Sequence, residues 1–467
     1  MSQPKPVEIR MLATGVPGLD EILGGGIPEL SFNLIAGGPG TGKTTLAHQF
    51  VFANATVAKP ALIFTVLGEP TLKLLRYQQQ YTFFDATALD GRVRLVNLGL
   101  EAETHDLERV LARIVAEVEA SDPGFVVVDS FRTVVSDERA ETIGFDSFVQ
   151  KLAVHLTTWR VTSFLLGEYR ALDIHDPVFT VADGCLYLEQ ARDRNSVVRK
   201  VQVVKSCGAA QMPGLHTYRI TRDGLHIFPR IRAAGATGVV DRTRLSIGVP
   251  ALDEMMGGGI PAGDAVLIAG PTGSGKTALT CQFVKASWEA DAAVVLVVFE
   301  EVPRAYIDRA KRIVDLAEMK AAGKLEIIYL RPLDLSVDET LYEIEQAVVR
   351  IGATRVVLDS LSGFEVALAP TFRVDFAESL YRLVRAVIAL GITVVLTVET
   401  FDESTGIRYR NDSVTFLTDD IIVQRYVEAN GRRRTVISVL KMRGSEHSDE
   451  VRYYQVTPAG ITVGKML

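Results

Sequence analysis

A stretch of fifteen residues near the start of the chain is written a second time past its middle. Thr14-Gly-Val-Pro-Gly-Leu-Asp-Glu-Ile-Leu-Gly-Gly-Gly-Ile-Pro28 returns as Ile247-Gly-Val-Pro-Ala-Leu-Asp-Glu-Met-Met-Gly-Gly-Gly-Ile-Pro261, an offset of 233. A glycine-rich run opening at Gly37 returns at Gly270 with the same offset, Ser130 returns as Ser360 after 230 residues, and Lys205 as Lys441 after 236. A repeat this long is a duplicated domain and not a solenoid unit. At 467 residues the chain is also too long for one ordinary core. The repeat predicts a first domain over 1–232, a linker over 233–245 and a second domain over 246–467. The stretch Ile231 to Arg244, mixing Ala, Gly, Thr and Arg without periodicity, supplies the linker.

Inside each half, apolar strands alternate with amphipathic helices. Ala61–Leu67, Phe125–Val128 and Val161–Leu166 read as buried strands, and Leu107, Val110, Leu111, Ile114, Val115 and Val118 fall on one helical face. The second half matches with Val294–Phe299, Val356–Leu358 and Ile392–Leu396. Continuously apolar strands separated by helices predict an α/β fold, a mostly parallel sheet with helices on both faces.

The glycine-rich runs carry the chemistry. Gly37-Gly-Pro-Gly-Thr-Gly-Lys-Thr44 and Gly270-Pro-Thr-Gly-Ser-Gly-Lys-Thr277 both fit the phosphate-loop pattern G-x-x-x-x-G-K-[ST]. Each follows an apolar strand (Phe32–Ala36, Ala265–Ala269) and precedes a helical pattern, the context the motif requires. Backbone N–H groups then converge on phosphate oxygens, and the following helix N-terminus adds its dipole. The nucleotide contacts expected are Gly38, Gly40, Thr41, Gly42, Lys43, Thr44 and Thr45 in one half, and Thr272, Gly273, Ser274, Gly275, Lys276, Thr277 and Ala278 in the other. Lys43 and Lys276 are expected on the β- and γ-phosphates of ATP, with Thr44 and Thr277 on Mg²⁺. Two matches at equivalent places in a repeat exclude chance turns.

Each half also has an apolar strand ending in an acid, Asp129 after Phe125-Val-Val-Val and Asp359 after Arg355-Val-Val-Leu. Alone, either Asp reads as a helix cap beside Ser130 or Ser360. Beside a phosphate loop it reads as the carboxylate that orients the Mg²⁺ water shell.

Composition narrows the function classes. Hydrophobic residues make up 48% and charged residues 23%, a globular balance. The net charge of −7 argues against a nucleic-acid coat. The most basic stretch, Arg432-Arg-Arg434, reads as the solvated tip of a hairpin turn. Cys185, Cys207 and Cys281 have no paired spacing, so neither a disulfide framework nor a zinc site is expected. Without a signal-peptide pattern or an apolar run of membrane-spanning length, the expectation is a soluble cytoplasmic protein with no membrane partner.

These motifs, with the paired acids of Phe299-Glu300-Glu301-Val-Pro303 and the late run Lys441-Met-Arg-Gly-Ser-Glu-His447, resemble the KaiC branch of the RecA/RadA superfamily over nearly the whole chain. The resemblance implies two tandem RecA-like P-loop NTPase domains. It also implies a homohexamer with ATP held between subunits, regulatory protein partners, ATP hydrolysis, and Ser/Thr autophosphorylation in the second domain. By the same resemblance Glu300 and Glu301 are the catalytic pair, and Lys441 and Arg443 reach a neighbour's γ-phosphate. From the residues alone, Glu300-Glu301 also fits a solvated acidic turn, and Lys441 with Arg443 a charged surface hairpin.

The pattern breaks in three places. In the first half Gly68 replaces the first acid and only Glu69 remains, while Cys207 stands where the second half has Arg443. Losing both predicts weakened hydrolysis in the first domain with binding kept. At the family's adjacent Ser-Thr acceptor pair this chain has Thr415-Phe416, leaving Thr415 as the candidate acceptor, with Ser413 and Thr418 as neighbours. Val178–Asp183 has the same shape as Val414–Asp419, so Thr415 reads equally as a β-structure residue. The chain also stops at Leu467, where clock members of the family continue into a partner-binding tail, which makes a full oscillator role less expected. Two other functions compete with the regulatory ATPase: an ATP-held scaffold without kinase activity, and a DNA recombinase or helicase relative.

Overall fold

The structure is a computed structural model describing residues 9–65, 71–89, 91–102, 106–129, 142–169, 177–193, 196–230, 243–330, 335–373, 376–403, 406–409, 418–429 and 431–467. Glu69, Gly68, Ser130, Ser413, Thr415, Phe416 and most of the expected linker lie outside those residues. Two compact units are present, one built on Met1–Arg192 with Val197–Arg230, the other on Ile231–Leu467.

The first unit is a nine-stranded sheet. Six strands run parallel in the order Val93–Asn97, Ala61–Thr65, Phe125–Asp129, Thr162–Glu168, Phe32–Gly37, Gly184–Asp193. The sheet continues with Ser196–Ser206, Leu215–Thr221 and Gly224–Phe228, the middle one antiparallel to both neighbours. The second unit repeats the order: Leu325–Tyr329, Val294–Val298, Arg355–Asp359, Thr393–Glu403, Ala265–Gly270 and Asp420–Ala429 are parallel. Arg432–Met442, Arg452–Thr457 and Gly460–Met466 follow as an antiparallel extension. These are tandem RecA-like α/β domains.

Continuously apolar strands follow from the layering. Successive side chains point to opposite faces, and both faces are covered. Leu34 enters one core beneath the helices Leu107–Ser121 and Thr142–Thr158, while Ile35 enters the other with Leu46, Ala47, Phe50 and Val51 of the helix Lys43–Asn54. In the second domain Leu267 and Val266 divide in the same way. Helix ends are chemically marked. Ser336 accepts from the Glu339 N–H at 3.1 Å to open Val337–Ile351, and Gly352 closes it in the left-handed region at φ 62°.

Two local expectations are corrected. Pro177–Val181 is a short helix, not β-structure: proline is preset for a first helical turn, and one turn buries Val178, Phe179 and Ala182 together. Arg432–Arg434 is not the hairpin tip but the start of a strand, paired to Ala429, Glu428 and Val427, with the Arg433 guanidinium 3.3 Å from the Tyr426 ring centroid. Among the described residues no helix is long and apolar enough to cross a membrane.

Candidate functional site

Parallel register brings the expected residues to one edge. Gly37, the last residue of the central strand, pairs with Glu168, and Gly270 pairs with Glu399. Thr65 pairs with Asp129 and Val298 with Asp359, so loop, acid and glutamate share the C-terminal edge of each sheet. Strands adjacent in sequence are separated there in space, which opens a crevice where α/β sheets hold ligands.

Each phosphate loop then turns into its helix through a glycine. Gly42 has φ 93° and Gly275 φ 98°, left-handed values that a side chain resists. A Cβ would also stand 2.7 Å from Ile220 Cδ1 or 2.8 Å from Val456 Cγ2. The lysines close back over the loops. Lys43 Nζ donates to the Gly37 and Gly38 carbonyls at 2.9 Å each, and Lys276 Nζ to Gly270 at 2.9 Å and Pro271 at 3.0 Å. Burial lowers the pKa of both ammonium groups. Glu168 and Asp129 oppose the shift at Lys43; Glu399, Asp359 and Glu300 oppose it at Lys276.

The other loop residues divide by exposure. A Cβ on Gly38 or Gly40 would meet nothing within 4 Å, so the cradle is open to a ligand. Thr41 Oγ1 donates to the Gly38 carbonyl at 2.9 Å, Thr45 lies 3.5 Å from the Tyr81 hydroxyl, and Ser274 is buried against Gln424. In the second domain Thr272, Gly273, Gly275, Lys276, Thr277, Ala278, Glu300 and Asp359 line one cavity of about 470 Å³.

The acids are held individually. Thr44 Oγ1 donates to Asp129 Oδ2 at 2.6 Å, and burial raises the Asp129 pKa against that bond and Lys43. Asp359 accepts from Thr397 at 2.7 Å and from Tyr306 at 3.0 Å. Glu300 accepts from Ser360 Oγ at 2.6 Å, while Ser360 caps the helix Leu361–Ala367. Glu301 makes a 2.7 Å ion pair with Arg309, which lines the cavity, but is not itself on the cavity wall. Lys441 and Arg443 are not on that wall either. Lys441 donates to the Thr418 carbonyl at 2.6 Å, and Arg443 makes a loose 3.6 Å contact with Asp419 while 72% exposed. Thr418 itself is buried.

A second set of residues went unread in the sequence. Tyr218 and Tyr454 donate at 2.6 Å to the Thr41 and Ser274 carbonyls, bracing each loop from the antiparallel strands. Gln49 and Gln282, on the loop helices, accept from the N–H of Leu225 at 2.9 Å and Ile461 at 2.7 Å. With Glu168, Glu399, Tyr306 and Thr397 these are single polar residues among apolar neighbours. Their signal was recurrence: Tyr218 and Tyr454 keep the offset of 236 that relates Lys205 to Lys441.

An open cradle, a lysine and a hydroxyl–carboxylate oxygen pair fit a nucleoside triphosphate with Mg²⁺, which binds through one or two protein oxygens plus phosphate. Among the described residues no cluster of three or more His, Cys, Asp or Glu side chains forms a metal cage, and Mg²⁺ held in this way needs none.

The fold and the two cradles define a tandem P-loop NTPase of the RecA-like class. A model of the KaiC ATPase domain matches residues 12–232 and again 245–467, and the chain belongs to the KaiC family of ATPases. It is 27% identical to the circadian clock oscillator protein KaiC of Rippkaea orientalis, covering 97% of this chain and 89% of that protein. It is 28% identical to the protein of the same description from Parathermosynechococcus lividus (96% and 84%). To circadian clock oscillator protein KaiC 1 of Synechocystis it is 27% identical (97% and 88%).

Proposed function

We propose that the chain is a cytoplasmic, Mg²⁺-dependent regulatory ATPase whose domains, 1–232 and 246–467 joined by 233–245, divide binding from turnover. The observation that carries this is Glu300 on the wall of the cavity that also holds Lys276, Thr277 and Asp359. Mg²⁺ would supply charge compensation for the phosphates there. Lys276 and the loop N–H groups hold the phosphates, Thr277 and Asp359 would hold the metal, and Glu300 accepts the proton of the attacking water. Glu301, committed to Arg309, positions the following helix. The first domain keeps Lys43, Thr44 and Asp129 but has Gly68 at the place of Glu300, so its main role is to hold ATP.

Arg443, exposed and away from its own chain's cavity, suits a role in a neighbouring copy's site, and Lys441 lies two residues before it. That arrangement supports a ring of copies, a homohexamer in the family's manner, with nucleotide between subunits and a part in protein-based timing or signalling as the relatives' descriptions suggest. Incubation with Mg²⁺ and γ-labelled ATP tests the reading. Phosphate release is expected. Label retained on the protein at Thr415 would add autokinase activity, and no turnover of either kind contradicts the proposal and leaves an ATP-held scaffold.

A further inference from the structure

Asp129 and Asp359 end equivalent strands but are held by different donors. In the first domain the donor is Thr44, a residue of the phosphate loop and itself a proposed metal ligand, 2.6 Å from Asp129 Oδ2. In the second, both carboxylate oxygens accept from outside the loop: Oδ1 from Thr397 at 2.7 Å and Oδ2 from the Tyr306 phenol at 3.0 Å. Both donors are buried, so solvent does not compete for these bonds. Tyr306 is fixed in its turn. Arg309 lies over its ring at 5.2 Å from the centroid and is anchored by Glu301 at 2.7 Å. Thr280 Oγ1 stands 3.5 Å from its hydroxyl.

Among the described residues of the first domain, the threonine donor has no counterpart. Ile35 pairs with Leu166 where Ile268 pairs with Thr397, so a leucine occupies the equivalent strand position.

We propose that Tyr306 and Thr397 are positioning residues of the second nucleotide site: they hold the Asp359 carboxylate in one orientation, and so give that site a tighter grip on its divalent cation than the first site has. The inference rests on the metal role proposed above for Asp359. Its physical basis is that a ligand pre-oriented by partners of its own need not reorganise on binding, and loss of such a partner typically weakens metal binding about 10- to 100-fold. Asp359 is oriented by donors that are not themselves proposed ligands. Asp129 is oriented by one that is, and that bond must rearrange when the threonine turns to a metal.

The test is Mn²⁺ titration of the full chain by electron paramagnetic resonance, with saturating non-hydrolysable ATP analogue and Lys43→Ala to silence the first site. Tyr306→Phe, which keeps the ring, and Thr397→Val are each expected to raise the Mn²⁺ dissociation constant of the remaining site about tenfold or more. Thr397→Ser keeps the hydroxyl and is expected to leave it unchanged, and metal-free nucleotide affinity should hold in all three. If Asp359→Asn weakens Mn²⁺ binding while Tyr306→Phe and Thr397→Val do not, the proposal is overturned. A matching fall in metal-free nucleotide affinity overturns it too, because the effect is then general damage to the site. If Asp359→Asn also leaves Mn²⁺ binding intact, it is the metal reading of Asp359 that fails.

Discussion

Glu300 and Glu301 are neighbours in sequence with opposite situations in space. Glu300 faces the cavity and is steadied by Ser360, whereas Glu301 is neutralised by Arg309. With the first site silenced by Lys43→Ala, Glu300→Gln should therefore lower phosphate release by about 10²- to 10⁴-fold, the usual range for a lost general base. Glu301→Gln should act more weakly, and the reverse order would contradict the assignment. Gly363 makes the same point sterically. Its missing side chain leaves room for Glu300, since a Cβ there would stand 2.7 Å from Glu300 Cγ. Gly363→Ala is expected to lower turnover while leaving nucleotide affinity near wild type, as read by steady-state release beside equilibrium binding. At this scale the sequence was most legible where a motif is local: the loop residues and the strand-end acids stand where spacing put them. It was silent on Tyr306, Thr397, Glu168 and Glu399, because a lone polar residue in an apolar strand or on a helix has no local pattern and acquires its partner only through register.

Elements carry the next level of consequence. Helix Val337–Ile351 is set by its Ser336 cap and buries Leu341, Ile344 and Val348. Ser336→Ala should lower the stability of the second domain by about 1 kcal/mol without altering nucleotide affinity, as read by denaturant unfolding. Strand Asp420–Ala429 contains a carboxyl group in the core. Burial, with the carboxylates of Asp264 and Asp419, pushes the Asp420 carboxyl from 3.8 up to about 7. Between those values the unfolded chain has released a proton that the folded chain keeps, so stability falls as pH rises from about 4 to about 7 and is level above. Asp420→Asn should remove that slope and stabilise the domain at pH 8, by on the order of a few kcal/mol, seen as a higher melting temperature. Strand and helix identities followed from periodicity wherever segments were long. They failed at Pro177–Val181 because five apolar-rich residues fit one helical turn as well as a short strand.

For the molecule as a whole, duplication explains the architecture, and divergence carries the proposed division of labour. Both domains keep the strand order, the loop, the lysine, the bracing tyrosine and the bridging glutamine. They part at Gly68 against Glu300, at the described donors of the strand-end acid, and at Cys207 against Arg443. The duplicated fold was legible from the repeat alone, while the proposed inequality of the two sites was legible only in residues the first half lacks, Gly68 standing for Glu300 and Cys207 for Arg443. The measurement that bears on it most directly is steady-state phosphate release from Mg²⁺-ATP by wild type, Lys43→Ala and Lys276→Ala side by side. Release should survive in Lys43→Ala and be lost in Lys276→Ala. Loss in Lys43→Ala with survival in Lys276→Ala would mean that the first domain is the engine, and would contradict the division of labour proposed for this chain.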